Sequence, residues 1–309
     1  MKTGESLSDR LLRRMDRVEA RSAARAARKP GRPGGRRRPV LAYLVLLITG
    51  AGALIVGSPL LLVVLNSLKT EVGYDRNGPL SWPSPVSLSS WAAYVHDSDY
   101  WRLLLNSVVI SGLIAILAVT VSVLAAFALG IGRVRGRRLY VGLLLAATMV
   151  PQEALVYPLF YEASKLHLTD TIWSVVLIFV PIYGAFGTYL IASMLGTFPR
   201  AVLEAAELDG ASRWRILWRV VVPMIRPTVT VLLVFFFVWS WNEYLIPLVM
   251  LTDPSVQTIP IALAALKGQN IMNVTEMNAG ALLSLLPTFI FFLLFQRTLM
   301  RGVAAGAVK

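Results

Sequence analysis

Residues 197–227 read TFPRAVLEAAELDGASRWRILWRVVVPMIRP and separate two long apolar runs of the chain. The first half of this segment predicts a short helix. Pro199 suits the first turn of a helix, because an N–H group at that position would have no acceptor within the helix. Residues 201–208 are mostly strong helix formers. Asp209-Gly210 should end this helix, because glycine readily adopts the left-handed backbone of a helix stop.

The second half of the segment predicts another helix. Ser212 is a good N-cap residue, and we expect the helix to end at Val222, because Pro223 cannot continue the hydrogen-bond ladder. Two helices joined by a tight turn form a compact projection that fits the groove of another protein. The competing interpretation is a DNA-binding helix-turn-helix. That domain would need a third helix and a core of its own, which this short loop cannot supply.

Apolar runs long enough to cross a bilayer dominate the chain on both sides of this segment. A helix needs about 20 mostly apolar residues to cross about 30 Å of hydrocarbon. The sequence contains six such runs, at about 40–65, 103–131, 139–161, 171–198, 227–252 and 277–296. Their apolar residues are continuous rather than alternating, which favours helices over a barrel. The sequence therefore predicts an all-α integral membrane protein with six transmembrane helices, in a membrane domain at residues 40–309.

Basic residues are distributed unevenly among the loops. Of the 30 Lys and Arg residues, 25 lie in the N-terminal arm, in the loops 132–138 and 199–226, and in the C-terminal tail, whereas the other loops hold 5. Cytoplasmic loops of membrane proteins carry such an excess of positive residues. We therefore expect both termini to be cytoplasmic, as an even number of spans requires.

The composition excludes several classes of function. With 56% hydrophobic residues, 15% charged residues and a mean hydropathy of +0.65, a chain of 309 residues is not expected to be a soluble enzyme. It has no cysteine and two histidines, which excludes thiolate catalysis and argues against a metal site. The net charge of +13 falls in blocks between apolar runs, so the predicted partner is a lipid bilayer and not nucleic acid.

Residues 1–39 form a polar arm that contains 13 basic residues. The apolar run that follows is too long and too far from the N-terminus for a secretory signal. We expect this arm to be cytoplasmic and disordered. The alternative is a short amphipathic helix on anionic lipid, because Leu7, Leu11, Met15 and Val18 recur at helical spacing.

The segment 197–227 also contains a motif of specific spacing. Glu204-Ala205-Ala206 is followed, after three residues, by Gly210 and, after nine more, by Val220-Val221-Val222-Pro223. This pattern resembles the EAA loop of binding-protein-dependent ABC importer permeases, EAA-x3-G-x9-I-x-L-P, with Val in the places of Ile and Leu. Other stretches are similar to the carbohydrate-uptake permeases of the maltose-type class, and most like the shorter permease of such a pair. These stretches are NSLKT at 66–70, WPSPVSLSSWAAY at 82–94, LLLNSVVIS at 103–111, WNEYLIPLVML at 241–251 and FQRTLMRGVAAGAVK at 295–309.

The resemblance implies a type I ABC importer permease fold, in which the EAA segment is a cytoplasmic coupling helix. It implies a multi-pass protein of the bacterial plasma (inner) membrane, with a second permease, two ATPase subunits and an extracellular solute-binding protein as partners. The permease would be no enzyme and would hold no cofactor, because ATP and Mg would be bound by the ATPase. The chain has no G-x-x-x-x-G-K-[ST] phosphate loop, in keeping with this division of labour. The residues expected to couple the chain to the ATPase are Glu204, Ala205, Ala206, Asp209, Gly210, Arg213 and Pro223.

Two carboxylates inside the predicted spans indicate a substrate path. Glu153 and Glu243 would be costly against lipid and should face a cavity or a partner. Their neighbours suit a sugar, since amides and carboxylates bind hydroxyl groups and aromatic rings cover the apolar face of a sugar ring. The predicted path residues are Gln152, Glu153, Trp239, Trp241, Asn242, Glu243 and Tyr244. The alternatives are an interfacial aromatic belt and, for Glu243, a bond to a neighbouring helix.

Two functions from different classes remain open. The first, implied by the resemblance, is a permease subunit that forms, with a second permease, the translocation path for a mono-, di- or oligosaccharide. The second is a stand-alone secondary transporter or channel that uses Glu153 and Glu243 as proton sites. The second function would leave the spacing of the EAA motif unexplained.

Overall fold

The protein is described from a computed structural model, which covers residues 39–132, 134–268 and 273–307. The predicted arm, apart from Pro39, lies outside the described residues. Regular structure within these ranges is helical throughout. The helices are α1 Pro39–Ser67, α2 Glu71–Asn77, α3 Ser89–Asp97, α4 Tyr100–Gly130, α5 Arg137–Ala147, α6 Gln152–Lys165, α7 Ile172–Leu195, α8 Arg200–Leu208, α9 Arg213–Trp241, α10 Leu245–Met250, α11 Ile259–Gly268 and α12 Val274–Ala307.

Five helices in the described part of the chain, α1, α4, α7, α9 and α12, are long and apolar enough to cross a membrane, which confirms the all-α membrane fold class. The predicted span at 139–161 is not one continuous helix. Helices α5 and α6 meet there at a bend of 93°. Pro151 immediately precedes α6 and disfavours a helical backbone at Val150, so the helix is interrupted. Counted as one broken span, this pair brings the total to six.

The fifth predicted span, 227–252, also has different bounds. Helix α9 begins inside the polar segment, at Arg213, and ends at Trp241, and α10 is a separate helix of six residues. Glu243 therefore lies in the break at residues 242–244 and not within a continuous span. The sequence suggested continuity because the residues on both sides of this break are apolar.

A π turn explains why α9 continues past the position where we expected it to end. Ser212 caps the helix as predicted, since its Oγ accepts a hydrogen bond from the N–H of Arg215 at 3.3 Å. The helix then widens at Leu217–Val221, and the N–H of Val222 donates to the carbonyl of Leu217. Pro223 falls in the first turn after this widening, where its missing N–H does not end the helix. The predicted end at Val222 was therefore wrong.

Helices α4, α7 and α9 build the core of the compact unit that begins at Leu60. Small residues allow α4 and α7 to approach closely, as is common between membrane helices. Gly187 of α7 faces Ser122 of α4, and the Ser122 hydroxyl donates to the carbonyls of Ala118 and Gly184 at 2.6 and 3.2 Å. The other unit ends at Pro59, and its described side chains, from residue 43 of α1 onward, are exposed.

We expect Gly187→Ala to lower the free energy of unfolding by about 1–3 kcal/mol, because the added methyl group overpacks the core. A Cβ at Gly187 would lie 2.9 Å from the Ser122 Cβ and 3.0 Å from the Phe236 ring. Thermal unfolding in detergent measures the effect. Gly142→Ala is the matched control, since a Cβ at this helical glycine meets no atom within 4 Å. Equal melting temperatures for the two variants would contradict the packing argument.

Candidate functional site

A cavity of about 520 Å³ lies where two helix breaks meet α7. One break, at residues 148–151, separates α5 from α6, and the other, at 242–244, separates α9 from α10. Interrupted membrane helices can hold polar groups at the depth of the bilayer when those groups line a cavity. The lining residues are Ala147, Thr148, Val150, Gln152, Leu155, Ile182, Tyr183, Phe186, Val238, Trp239, Asn242 and Glu243.

Four of the seven predicted path residues line this cavity, and three do not. Trp241 is directed into the protein, since its ring stacks on Phe237 at 5.7 Å and its Nε1 donates to the carbonyl of Ser284 at 3.2 Å. Residues two apart on a helix are separated by about 200°, so Trp239 and Trp241 face different sides of α9. The other two residues outside the lining, Glu153 and Tyr244, are exposed on the surface of the described chain.

Helix α7 contributes cavity residues that sequence analysis missed. The ring of Tyr183 lies 5.7 Å from the ring of Trp239, and the ring of Phe186 lies 5.4 Å from it, both in edge-on geometry. Residues three apart share one face of a helix, so Tyr183 and Phe186 reach the cavity together. The available signal was the tyrosine in the apolar run VPIYGAF at 180–186.

The lining residues include one carboxylate and no basic side chain. That carboxylate belongs to Glu243, and the N–H groups of Leu245 and Ile246 lie beside it. These N–H groups belong to the first turn of α10, where backbone donors lack helical partners. The other polar groups of the lining are two amides and the hydroxyls of Thr148 and Tyr183, and aromatic rings lie beside them. This set suits a neutral molecule with many hydroxyl groups.

Helix α8 ends in the turn that the sequence predicts. Gly210 has a φ of +72°, in the left-handed region. The N–H of Gly210 donates to the carbonyl of Glu207, and the N–H of Ala211 donates to the carbonyl of Ala206, both at 3.0 Å. These are the two hydrogen bonds of a Schellman motif, which confirms the predicted helix stop.

One face of α8 packs against the protein and the other is free. Leu203 and Ala206 pack against the core, whereas Leu208 is 89% exposed. An exposed leucine beside exposed carboxylates is a suitable contact for a partner protein. The predicted coupling residues that are exposed are Glu204, Ala205, Asp209, Gly210, Arg213 and Pro223. Ala206 is half-buried, so part of its surface serves the packing of α8 itself.

Among the described residues, no group of three His, Cys, Asp or Glu side chains is arranged to hold a metal ion.

Comparison with known proteins relates both the cavity and the polar segment to one family. A family model described as the binding-protein-dependent transport system inner membrane component matches residues 118–304. The arabinooligosaccharides transport system permease protein AraQ of Halalkalibacterium halodurans is 30% identical over 274 residues, covering 88% of this chain and 98% of the relative. The trehalose transport system permease protein SugB of Mycobacterium tuberculosis is 28% identical over 278 residues, covering 89% and 99%.

A solved structure shares the fold. A chain of a bacterial ABC transporter involved in the import of the acidic polysaccharide alginate superposes with a TM-score of 0.72 at 20% identity, covering 85% of this chain and 98% of that chain. The family match includes every residue that lines the cavity and the whole of α8 and α9. The chain belongs to the binding-protein-dependent transport system inner membrane components.

Proposed function

We propose that this chain is a permease subunit of an ATP-binding-cassette importer that carries a sugar. The observation that carries the proposal is the cavity between the two helix breaks, with its aromatic, amide and carboxylate lining. Family membership and the sugars named for its relatives support the same substrate class. In this proposal a second permease completes the path and an extracellular solute-binding protein delivers the sugar.

The exposed surfaces are consistent with two further kinds of contact. The first unit offers apolar side chains along α1 for lipid or for the second permease. The free face of α8, with Glu204 and Leu208, is the proposed docking surface for the ATPase, which would bind ATP and Mg. The excess of basic residues in alternate loops supports a bacterial inner-membrane protein with both termini cytoplasmic.

A secondary transporter or channel is the less favoured function. It would use Glu153 and Glu243 together as proton sites, but Glu153 does not line the cavity. A single carboxylate among the lining residues does not form a relay by itself.

The proposed function predicts sugar uptake that depends on ATP. The complex is purified through a tag on this chain, reconstituted in liposomes with its binding protein, and tested with radiolabelled trehalose and arabino-oligosaccharides. We expect uptake of at least one of these sugars when ATP is supplied on the ATPase side. Uptake that proceeds without ATP and stops with an uncoupler would instead support a secondary transporter.

A further inference from the structure

Asp170 binds the segment that follows α10. It lies in the turn at residues 166–171, between α6 and α7. Its carboxylate accepts hydrogen bonds from the N–H groups of Thr252 and Asp253 at 2.6 and 2.8 Å, and from the Thr252 hydroxyl at 2.9 Å. Its own N–H donates to the carbonyl of Met250 at 2.8 Å. These bonds join the turn between α6 and α7 to the end of α10 and the residues that follow it, across some 80 residues of sequence.

The two helices joined in this way are both short and both follow a break. Helix α6 is separated from α5 by the 93° bend, and α10 is separated from α9 by residues 242–244. They pack against each other, and each begins at the cavity, next to Gln152 and Glu243 respectively. Without a continuous helix behind them, their positions depend on contacts such as those of Asp170.

We propose that Asp170 is a positioning residue for the cavity. Its hydrogen bonds hold the turn that follows α6 against the segment that follows α10, and so keep the near ends of the two helices, with Gln152 and Glu243, at a fixed separation. The proposal rests on the proposed function for the role of the cavity as a sugar path. We call the hydrogen bonds of Asp170 to Thr252 and Asp253 the tie. The tie fixes the shape of the cavity whichever substrate passes through it.

The local chemistry of Asp170 fits this role. Its φ of +57° is in the left-handed region, which aspartate tolerates better than most residues. The hydrogen bond from the N–H of Asp253 lowers the pKa of Asp170 below its usual value. The carboxylate is therefore ionised at neutral pH and accepts its hydrogen bonds in their charge-assisted form.

A labelling experiment tests the tie without any sugar. Leu155→Cys places the one thiol of the chain in the cavity lining on α6, and its rate of reaction with a small maleimide is measured in the purified complex. Asp170→Gly removes the carboxylate but keeps the left-handed backbone unstrained. Asp99→Gly is the matched control, because Asp99 has a φ of +50° and its exposed carboxylate pairs with the nearby Arg102.

We expect Asp170→Gly to change the labelling rate by about fivefold, the effect of about one net hydrogen bond. Asp170→Asn should change the rate less, because the amide keeps one acceptor oxygen. Asp99→Gly should leave the rate unchanged. Equal rates for Asp170→Gly and Asp99→Gly would overturn the proposal.

A covalent replacement of the tie provides the second measurement. The side chains of Asp170 and Thr252 are in contact, so the double variant Asp170→Cys with Thr252→Cys places two thiols at the tie. Uptake of whichever radiolabelled sugar the parent complex imports should be about fivefold lower with the pair reduced and should return to within about twofold of the parent when it is oxidised. The same uptake in both states would overturn the proposal. If the complex with the unchanged chain imports no sugar, that result counts against the proposed function. The labelling experiment would still test whether Asp170 positions α6 and α10.

Discussion

Gly210→Val is expected to reduce the amount of ATPase that co-purifies with this chain by about tenfold or more. The φ of Gly210 is +72°, and a β-branched residue is strained there by about 1–3 kcal/mol. A Cβ at this position would meet no atom within 4 Å, so the effect would arise from the backbone and not from a clash. The Schellman bonds that set α8 against the start of α9 would be lost, and with them the presentation of the proposed docking surface.

Quantitative mass spectrometry of the complex, purified through a tag on this chain, measures the retained ATPase. Gly78→Val is the matched control, because Gly78 also has a positive φ, +76°, and open space around it, but lies at the end of α2. This control should keep the ATPase. Glu204→Lys should lose it through reversal of an exposed charge, with no strain in the backbone. Full retention in both loop variants, with normal ligand-stimulated ATP hydrolysis, would remove the docking role of α8.

Glu243→Leu is expected to lower sugar uptake by about tenfold to a hundredfold, whereas Glu243→Gln should keep most of it. Glutamine preserves the size and most of the hydrogen-bonding capacity of the side chain. Leucine leaves hydroxyl groups of the substrate unpaired in the cavity, at about 1–3 kcal/mol each. Uptake of radiolabelled sugar by the reconstituted complex, at constant ATP, measures both variants.

Glu153→Leu is the matched control for this series. Glu153 is a second carboxylate near the cavity but is exposed and outside the lining, so its removal should change uptake by less than the removal of Glu243. A proton carrier would give a different pattern, because neither Gln nor Leu can titrate. Equal loss in Glu243→Gln and Glu243→Leu, together with abolition of parent uptake by an uncoupler, would support the secondary transporter.

Hydropathy located the membrane helices but not their interruptions. A run such as 103–131 is apolar over its whole length and forms one helix, α4. The run 139–161 is also apolar on average, yet it bends by 93° beside Pro151. Average hydropathy is insensitive to such a local change in backbone. Prolines do not mark the interruptions unambiguously either, since Pro181 lies inside the continuous helix α7.

The candidate site was predictable where chemistry alone singled out the residues. Carboxylates and amides are rare in apolar runs, and for this reason the sequence predicted that Gln152 and Glu243 line a path. Aromatic residues gave a weaker signal, because both Trp239 and Trp241 suit a sugar and helix geometry decides between them. The contribution of α7 was not predictable, because it depends on which helices meet at the two breaks.

The π turn at Leu217–Val221 sets the rotational phase of the rest of α9. One extra residue in a turn shifts every later side chain by about 100° around the axis. Trp239 lines the cavity with this rotation in place. In a helix without the π turn, the Trp239 side chain would point about 100° away from its present direction. The same helix begins at Arg213, about 40 Å along its axis from Trp239. The backbone of one continuous helix thus joins the polar segment to the cavity.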